Sequence, residues 1–509
     1  MRRSAIPAAA LLLVTLTATP AAAVDKLNSK KLRDAVTVSG MLRHERALQR
    51  IANNNGGTRA SGTPGYAASA AYVTSTLKKA GYQVSEQSFT FPFFRELAPS
   101  TLAQTAPTPA TFETSTMTYS GSGDVTGALV ATNDVMVPPG AAPNSSDSGC
   151  EATDFVPASA TEPQVALIQR GTCTFELKVT NAVAAGYDAV AIFNEGQPGR
   201  DDLLEGTLGK PFAIPVVGLD FADGATLYTA AEAGPVTVQV TTSTESDLAA
   251  KTSNIIANSP TGSAKSVIVV GAHLDSVVEG PGINDNGSGV ATLLEIAVQL
   301  AKLKIKPRQQ IRFAFWGAEE SGLLGSEHYV ANLSDDDLAK IYANLNFDMV
   351  GSPNYVRFVY DGDGSATPNA GPPGSAQIEE IFDKYFAKKQ LATEPTAFDG
   401  RSDYGPFIEV GIPAGGLFSG AEGIKTAEQA AVYGGTAGVA YDKCYHAACD
   451  TSTNLNPSAL HELGDAAAHA VYTLALTKTG LFPDGSLRAT GRARVATPQF
   501  DYKGSHLIR

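Results

Sequence analysis

Several common signatures are missing from this chain of 509 residues, and each absence excludes a class of protein. No Cys-x-x-Cys pair occurs, so the four cysteines lack the spacing of a structural zinc knot. Neither Gly-x-Ser-x-Gly nor His-Glu-x-x-His is present, which argues against a serine hydrolase of the nucleophile-elbow type and against a helical zinc motif. After the first two dozen residues, no segment approaches the uncharged apolar length of a membrane span. Charge is sparse and of the wrong sign for a nucleic-acid partner: 17% of residues are charged and the formal net charge is −13. No internal repeat is found.

What is present is the composition of a well-buried globular protein, with 43% apolar residues, on a chain long enough for two or three folding units. The opening MRRSAIPAAALLLVTLTATPAAAVDKL has two arginines, a short apolar stretch and a small-residue exit, the pattern of a secretory signal peptide over residues 1–23. It contains no cysteine for lipid attachment, so a secreted, extracellular protein is expected, with a charge of about −15 after loss of Arg2 and Arg3. In an oxidising compartment an even cysteine count suggests two disulfides. Cys444 and Cys449 can close a tight loop, and Cys150 and Cys173 a longer one.

Residues 24–126 begin with two helical patterns, around Leu42–Ile51 and Tyr72–Leu77, and continue with a strand-like VSEQSFTFPFF. The Thr/Pro/Ser-rich APSTLAQTAPTPATFETST then marks a boundary. Residues 127–245 hold short β-rich runs (ALVAT, VALIQ, AVAIFNE, IPVVGLD, VTVQVTT) around one helix at 175–185, the pattern of a small separate α/β unit. Within it, RGTCTFELKVTNAVAAGYDAVAIFNE resembles the protease-associated (PA) domain through Arg170, Cys173, Phe175, Lys178, Ala182, Gly186 and Asn194. From residue 246 to 480 strands alternate with long helices, which predicts an α/β fold: a mixed, largely parallel sheet sandwiched by helices, carrying the smaller α/β unit as an insertion. Residues 481–509 read as a flexible or processed tail.

Ligands bind beyond the carboxyl ends of such strands. Side chains able to hold a metal gather in the corresponding loops: His273 with Asp275, Asp285, the pair Glu319 and Glu320, Asp348, and His446. Zinc favours imidazole and carboxylate, and a pair of metals about 3.5–4 Å apart needs a bridging carboxylate with roughly two further ligands each. The count fits if Asp285 bridges, His273 and Asp348 complete one metal, and Glu320 and His446 the other. Glu319 is then left to face the bridging water as general base, and Asp275 can accept the free ring N–H of His273. Each residue also has a plain reading: Asp285 suits a turn, and Glu319 and Glu320 suit the first turn of a following helix.

The segments GAHLDS, GINDNGSGV, FAFWGAEESGLLGSEHY, NFDMVGSPN, FDGRSDYGPF, GGLFSGAE and CYHAACDT resemble the secreted di-zinc aminopeptidase family of the aminopeptidase S and aminopeptidase Y type. The likeness runs from about residue 254 to 476 and includes NNNGGTRASGTPGYAASAAYV ahead of the insertion. It implies the same α/β sandwich, two Zn²⁺ held by His273, Asp285, Glu320, Asp348 and His446, and Glu319 as base. It further implies that Tyr445 stabilises the oxyanion, that Arg401 helps hold the substrate terminus, and that Met349 and Phe418 line an apolar pocket for a Leu-like first side chain. Some relatives carry a structural calcium near the last helix; here His461 stands at a ligand position although Asp465 remains, which argues against calcium, a cation that prefers oxygen donors.

The expected partners are peptides with a free N-terminus, with no nucleic acid or membrane, and the chain is expected to act as a monomer. Two rivals remain at this point, a di-zinc carboxypeptidase or dipeptidase-like hydrolase and a catalytically silent peptide-binding protein. The insertion is expected to overhang the site.

Overall fold

The computed structural model describes residues 27–478 together with 480 and 481, so the expected signal peptide and all but the first residue of the expected tail lie outside the described residues. The apolar run Val267–Val270 is fully or almost fully buried because its strand, Ser263–His273, runs in the middle of a sheet covered on both faces. Gln309–Trp316 and Ile341–Phe347 pair with it in parallel on either side. Ala414–Phe418 extends the sheet in parallel beyond Ile341–Phe347, followed by the short strands Phe358–Tyr360 and Glu394–Thr396 at the edge. Antiparallel pairings, such as Phe358–Tyr360 with Ala414–Phe418, make the sheet mixed but largely parallel.

Successive side chains of the central strand point to opposite faces. Ile268 and Val270 join a large core with the helices Val38–Asn54, Pro64–Lys79, Gly287–Lys302 and Pro457–Leu476. Val267 and Val269 face Trp316, Tyr329 and Phe407, from the sheet and the helices Leu324–Ala331 and Gly405–Glu409. Among the described residues, no helix is long and apolar enough to cross a membrane.

The insertion hangs on two long strands. Gln83–Ala106 and Thr237–Asn258 pair antiparallel from Gln83 with Asn258 to Ala106 with Thr237, interrupted by register shifts. One end of Thr237–Asn258 pairs with Gln309–Trp316 of the main sheet and the other with Gly123–Ala131 of the insertion, so a single sheet runs through both units. The Thr/Pro/Ser-rich passage after Phe94 is therefore strand for much of its length and folds back as Ala110–Phe112. Within the insertion, Gly123–Ala131, Gln164–Gln169, Ala189–Phe193 and Val216–Leu219 are parallel.

Two helices accompany these strands, where the sequence pattern indicated one. Besides Phe175–Ala184 there is Phe221–Ala233, whose N-terminus Asp220 caps through its carboxylate and the Asp223 N–H at 2.7 Å. Its Ala/Gly/Thr-rich sequence buries little more than Gly224 and Leu227, so it lacks a strong helical stripe.

Both disulfides form as paired in the sequence, Cys150–Cys173 and Cys444–Cys449. The first ties down a loop that Asn181 also holds, donating to the carbonyls of Gly149 and Cys150 at 3.1 and 2.9 Å. The buried ammonium of Lys178 donates to the Ser148 carbonyl in the same loop.

Candidate active site

Each expected metal-facing residue sits where a strand runs out into a loop or a loop is pinned. His273 is the last residue of the central strand, and Asp348 follows directly on Ile341–Phe347. Glu319 and Glu320 follow Gln309–Trp316 in a turn, in which the Gly322 and Leu323 N–H groups donate to the Glu319 carbonyl. The next helix starts only at Leu324, so these carboxylates are not ordinary first-turn residues. Asp285 precedes Asn286, whose side-chain oxygen caps the helix Gly287–Lys302 by accepting from the Gly289 N–H at 2.9 Å.

These side chains converge. His273 Nε2 lies 3.1 Å from Asp285 Oδ1 and 3.2 Å from Asp348 Oδ1. His446 Nε2 lies 3.2 Å from Asp285 Oδ2 and 3.0 Å from Glu320 Oε2. Asp285 thus turns one oxygen to each imidazole. Ligands bound at about 2.0–2.1 Å to a tetrahedral zinc stand about 3.3 Å apart, so the separations are those of donor atoms arranged around metal positions. Glu319 Oε2 stands further back, 3.9 Å from His273 Nε2, with its side chain almost fully buried. Asp275 stays beside the other ring nitrogen: His273 Nδ1 is 3.3 Å from the Asp275 carbonyl and 3.7 Å from its carboxylate.

Sequence reasoning named the residues facing the site but missed those that hold them. Asp450 accepts from the backbone N–H groups of Asn284 and Asp285 at 2.8 and 2.9 Å, and Asn284 donates to Asp442 at 2.6 Å. Ser402 donates to Asp348 Oδ2 at 2.5 Å. Arg59 is fully buried and directs its guanidinium to the carbonyls of Leu274, Pro281 and Gly282, fastening the loop between His273 and Asp285. Arg59, Asp450 and Ser402 all fall within motifs that carried the resemblance, but their partners are remote in sequence. Backbone strain also collects here: Ala318, Met349 and His446 have φ of 54°, 50° and 53°, the left-handed region that non-glycine residues seldom enter.

So much carboxylate in a dry place cannot all ionise unaided. Burial pushes Glu319 well above the usual carboxylate range, with Asp403, Asp348 and Glu320 adding repulsion, and pushes Glu320 up to about 7. Asp403, whose two oxygens are buried without hydrogen-bond partners, is pushed up to about 8 by burial. Burial opposes a charge on His446, but Glu320 and Asp285 outweigh it and carry the imidazole to about 11. Glu320 Oε1 and Asp275 Oδ2 are likewise buried with no hydrogen-bond partner. A cluster of imidazole nitrogens and surplus carboxylate oxygens, some of them orphaned, fits a divalent cation with a taste for mixed N and O donors.

The substrate-side expectations fall in one place. Met349, Phe418, Arg401 and Tyr445 line a cavity of about 70 Å³ together with His273, Asp285, Glu319, Asp348 and His446. The Tyr445 ring stacks on His446 at 3.8 Å between centroids. Arg401 pairs with Glu422 at 2.9 Å and reaches the Tyr445 hydroxyl at 3.4 Å. Away from this centre, Asp465 accepts from Arg33 and from the Tyr385 hydroxyl, each at 2.9 Å, so a guanidinium already neutralises the carboxylate that the sequence left for calcium.

Fold and site define a class, the metal-dependent hydrolases that work at the carboxyl edge of an α/β sheet. Comparison with known proteins narrows it. Residues 254–471 match the model of Peptidase family M28 and residues 125–227 that of the PA domain. The chain is 46% identical over 481 residues to an aminopeptidase of Pseudomonas aeruginosa, covering 92% of this chain and 87% of that one. It is 42% identical to a probable leucine aminopeptidase 2 of Aspergillus fumigatus, over 75% of this chain and 73% of that one.

Among solved structures, an aminopeptidase from Aneurinibacillus sp. strain AM-1 superposes with a TM-score of 0.65 at 26% identity, covering 92% of this chain and all of the other. BSAP, a zinc aminopeptidase from Bacillus subtilis, gives 0.61 at 25% identity over 89% of this chain and 99% of its own. The chain belongs to peptidase family M28, carries a PA domain, and is a metallo-aminopeptidase.

Proposed function

We propose that the protein is an exported aminopeptidase that works with two zinc ions and releases apolar, Leu-like residues from the N-termini of peptides. The reading rests above all on Asp285, whose two oxygens are divided between His273 and His446 while Glu319 stands further back, 3.9 Å from His273 Nε2. His273 and Asp348 would hold one ion, Glu320 and His446 the other, with Asp285 between them. Zinc so held supplies a polarised carbonyl and a water whose pKa falls toward about 7.

The chain's own groups do the rest. Glu319 takes the proton of the attacking water on its carboxylate and returns it to the departing amine nitrogen. The Tyr445 hydroxyl donates to the oxygen that gains charge, and its stacking on His446 keeps it in place. The substrate's free amino group lies among Glu319, Asp348 and the network of Arg401, which accounts for exopeptidase action. Met349 and Phe418 give the first side chain an apolar wall.

The test combines metal analysis with leucine anilide hydrolysis before and after chelation. Two zinc ions per chain are expected, with activity lost on chelation and restored by zinc. Acetyl-leucine anilide should resist hydrolysis. Equal rates on the blocked and free substrates would exclude an aminopeptidase mechanism, and two bound zinc ions without turnover would point to a silent binding protein. Export is checked by N-terminal sequencing of protein from the culture medium, where cleavage near Ala23 is expected.

A further inference from the structure

A second cavity borders the metal-facing cluster at Asp275, Glu320 and His446 without including Met349 or Phe418. It has a volume of about 460 Å³ and is shared between the two units of the chain. One wall is the loop Asp275–Glu279; another is the paired ribbon at Phe91–Glu96 with Thr114–Thr116; the insertion closes it with Leu203, Glu205 and Gly206. His446 borders both this groove and the smaller cavity, so the two meet at the metal-facing residues. The volume lies within the range of about 300–1,000 Å³ typical of clefts that enclose organic ligands.

The groove has a definite charge. Its Arg95 is committed to Glu245, at 2.6 Å, and lies over the Phe93 ring. Besides Asp275 and Glu320 of the metal-facing cluster, three carboxylates, Glu96, Glu205 and Glu279, line it, and among the described residues none of these three forms an ion pair. Glu96 accepts from the Ser100 N–H and the Thr116 hydroxyl, which orients its charge without cancelling it. Burial raises the Glu279 carboxyl above its usual range, His446 attracts it and Glu96 repels it more weakly. Phe91, Phe93, Val277 and Val278 supply apolar surface between these charges, suited to aliphatic stems that end in a cation.

Resting on the aminopeptidase reading, we infer that this groove receives the part of the peptide beyond the scissile bond, and that Glu96, Glu205 and Glu279 select substrates with Lys or Arg at the second or third residue. The small cavity takes the residue to be released; the chain then passes His446 into the groove between loop, ribbon and insertion. The insertion thus contributes directly to specificity, through Glu205.

The experiment compares kcat/KM for the tripeptides Leu-Lys-Ala and Leu-Glu-Ala on the zinc-loaded full chain, in the wild type and in the variant E96Q/E205Q/E279Q. Exposed charge pairs each contribute modestly, so the expected wild-type preference for Leu-Lys-Ala is about five- to tenfold at low salt, falling as ionic strength rises. The variant should bring the ratio close to one. Because each ratio is internal to one preparation, partial misfolding or metal loss cancels. A wild-type ratio near or below one, or an undiminished ratio in the variant, overturns the inference. Leucine anilide hydrolysis separates the two readings: cleavage of the anilide without lysine preference removes the groove's role alone, whereas failure to cleave the anilide removes the aminopeptidase reading itself.

Discussion

Glu319 carries the sharpest prediction because it is the acid that the ligand count leaves over. Replacing it with Gln keeps shape and burial but removes the proton acceptor. Zinc content should stay as in the wild type while kcat on leucine anilide falls by about 10²–10⁴, the usual contribution of a positioned base. Loss of the metal together with activity would instead make Glu319 a ligand. Residues such as this one are legible in the sequence because a strand end fixes where each backbone delivers its side chain. Asp450 and Arg59 are not legible in the same way. Asp450 accepts from N–H groups more than 160 positions earlier, and Arg59 reaches carbonyls more than 210 positions later, so nothing local announces either role.

At the scale of elements, the alternating strands and helices from residue 254 onward were readable from periodicity, and the apolar run before His273 marks the central strand. Two features in and beside the insertion were not. Phe221–Ala233 lacks a strong apolar stripe, and the strand Gln83–Ala106 runs through a passage whose composition suggests loop, because cross-strand pairing overrides local preference. The loop closed by Cys444 and Cys449 gives a prediction of its own. It presents His446 in a left-handed conformation beside Tyr445, and the disulfide limits how far that segment can relax. The C444S/C449S variant should lose about 10–100-fold in zinc affinity, as with other supports of metal ligands. Competition with a calibrated chelator measures it, and unchanged affinity would show that the loop holds itself.

On the scale of the whole molecule, His469 links the described N-terminal residues to the last helix. Its Nδ1 lies 2.8 Å from the Ser29 hydroxyl, and its ring stacks on Tyr385. Burial pushes it down to about 4, Arg33 and Lys388 push the same way, and Asp465 opposes them. The unfolded chain binds a proton here below about 6.5, so it holds more protons than the fold between that pH and about 4. The contribution to stability is therefore complete above this window and lost as pH falls through it, by at most about 3 kcal/mol. His469→Gln should flatten the difference in unfolding free energy between pH 7 and pH 4.5, measured by urea titration. An equal difference in both proteins would assign the acid sensitivity elsewhere.

The long strands Gln83–Ala106 and Thr237–Asn258 have a mechanical consequence at this scale. A unit tethered by two single threads could pivot and let its neighbour gape. One carried on a laddered ribbon resists swivelling and yields where the ladder slips register, near Phe91 and Glu96, beside the groove. Admission of a bulky peptide would then be a matter of flexure, graded by stiffness, and stiffening those slips would narrow the range of chains that can enter.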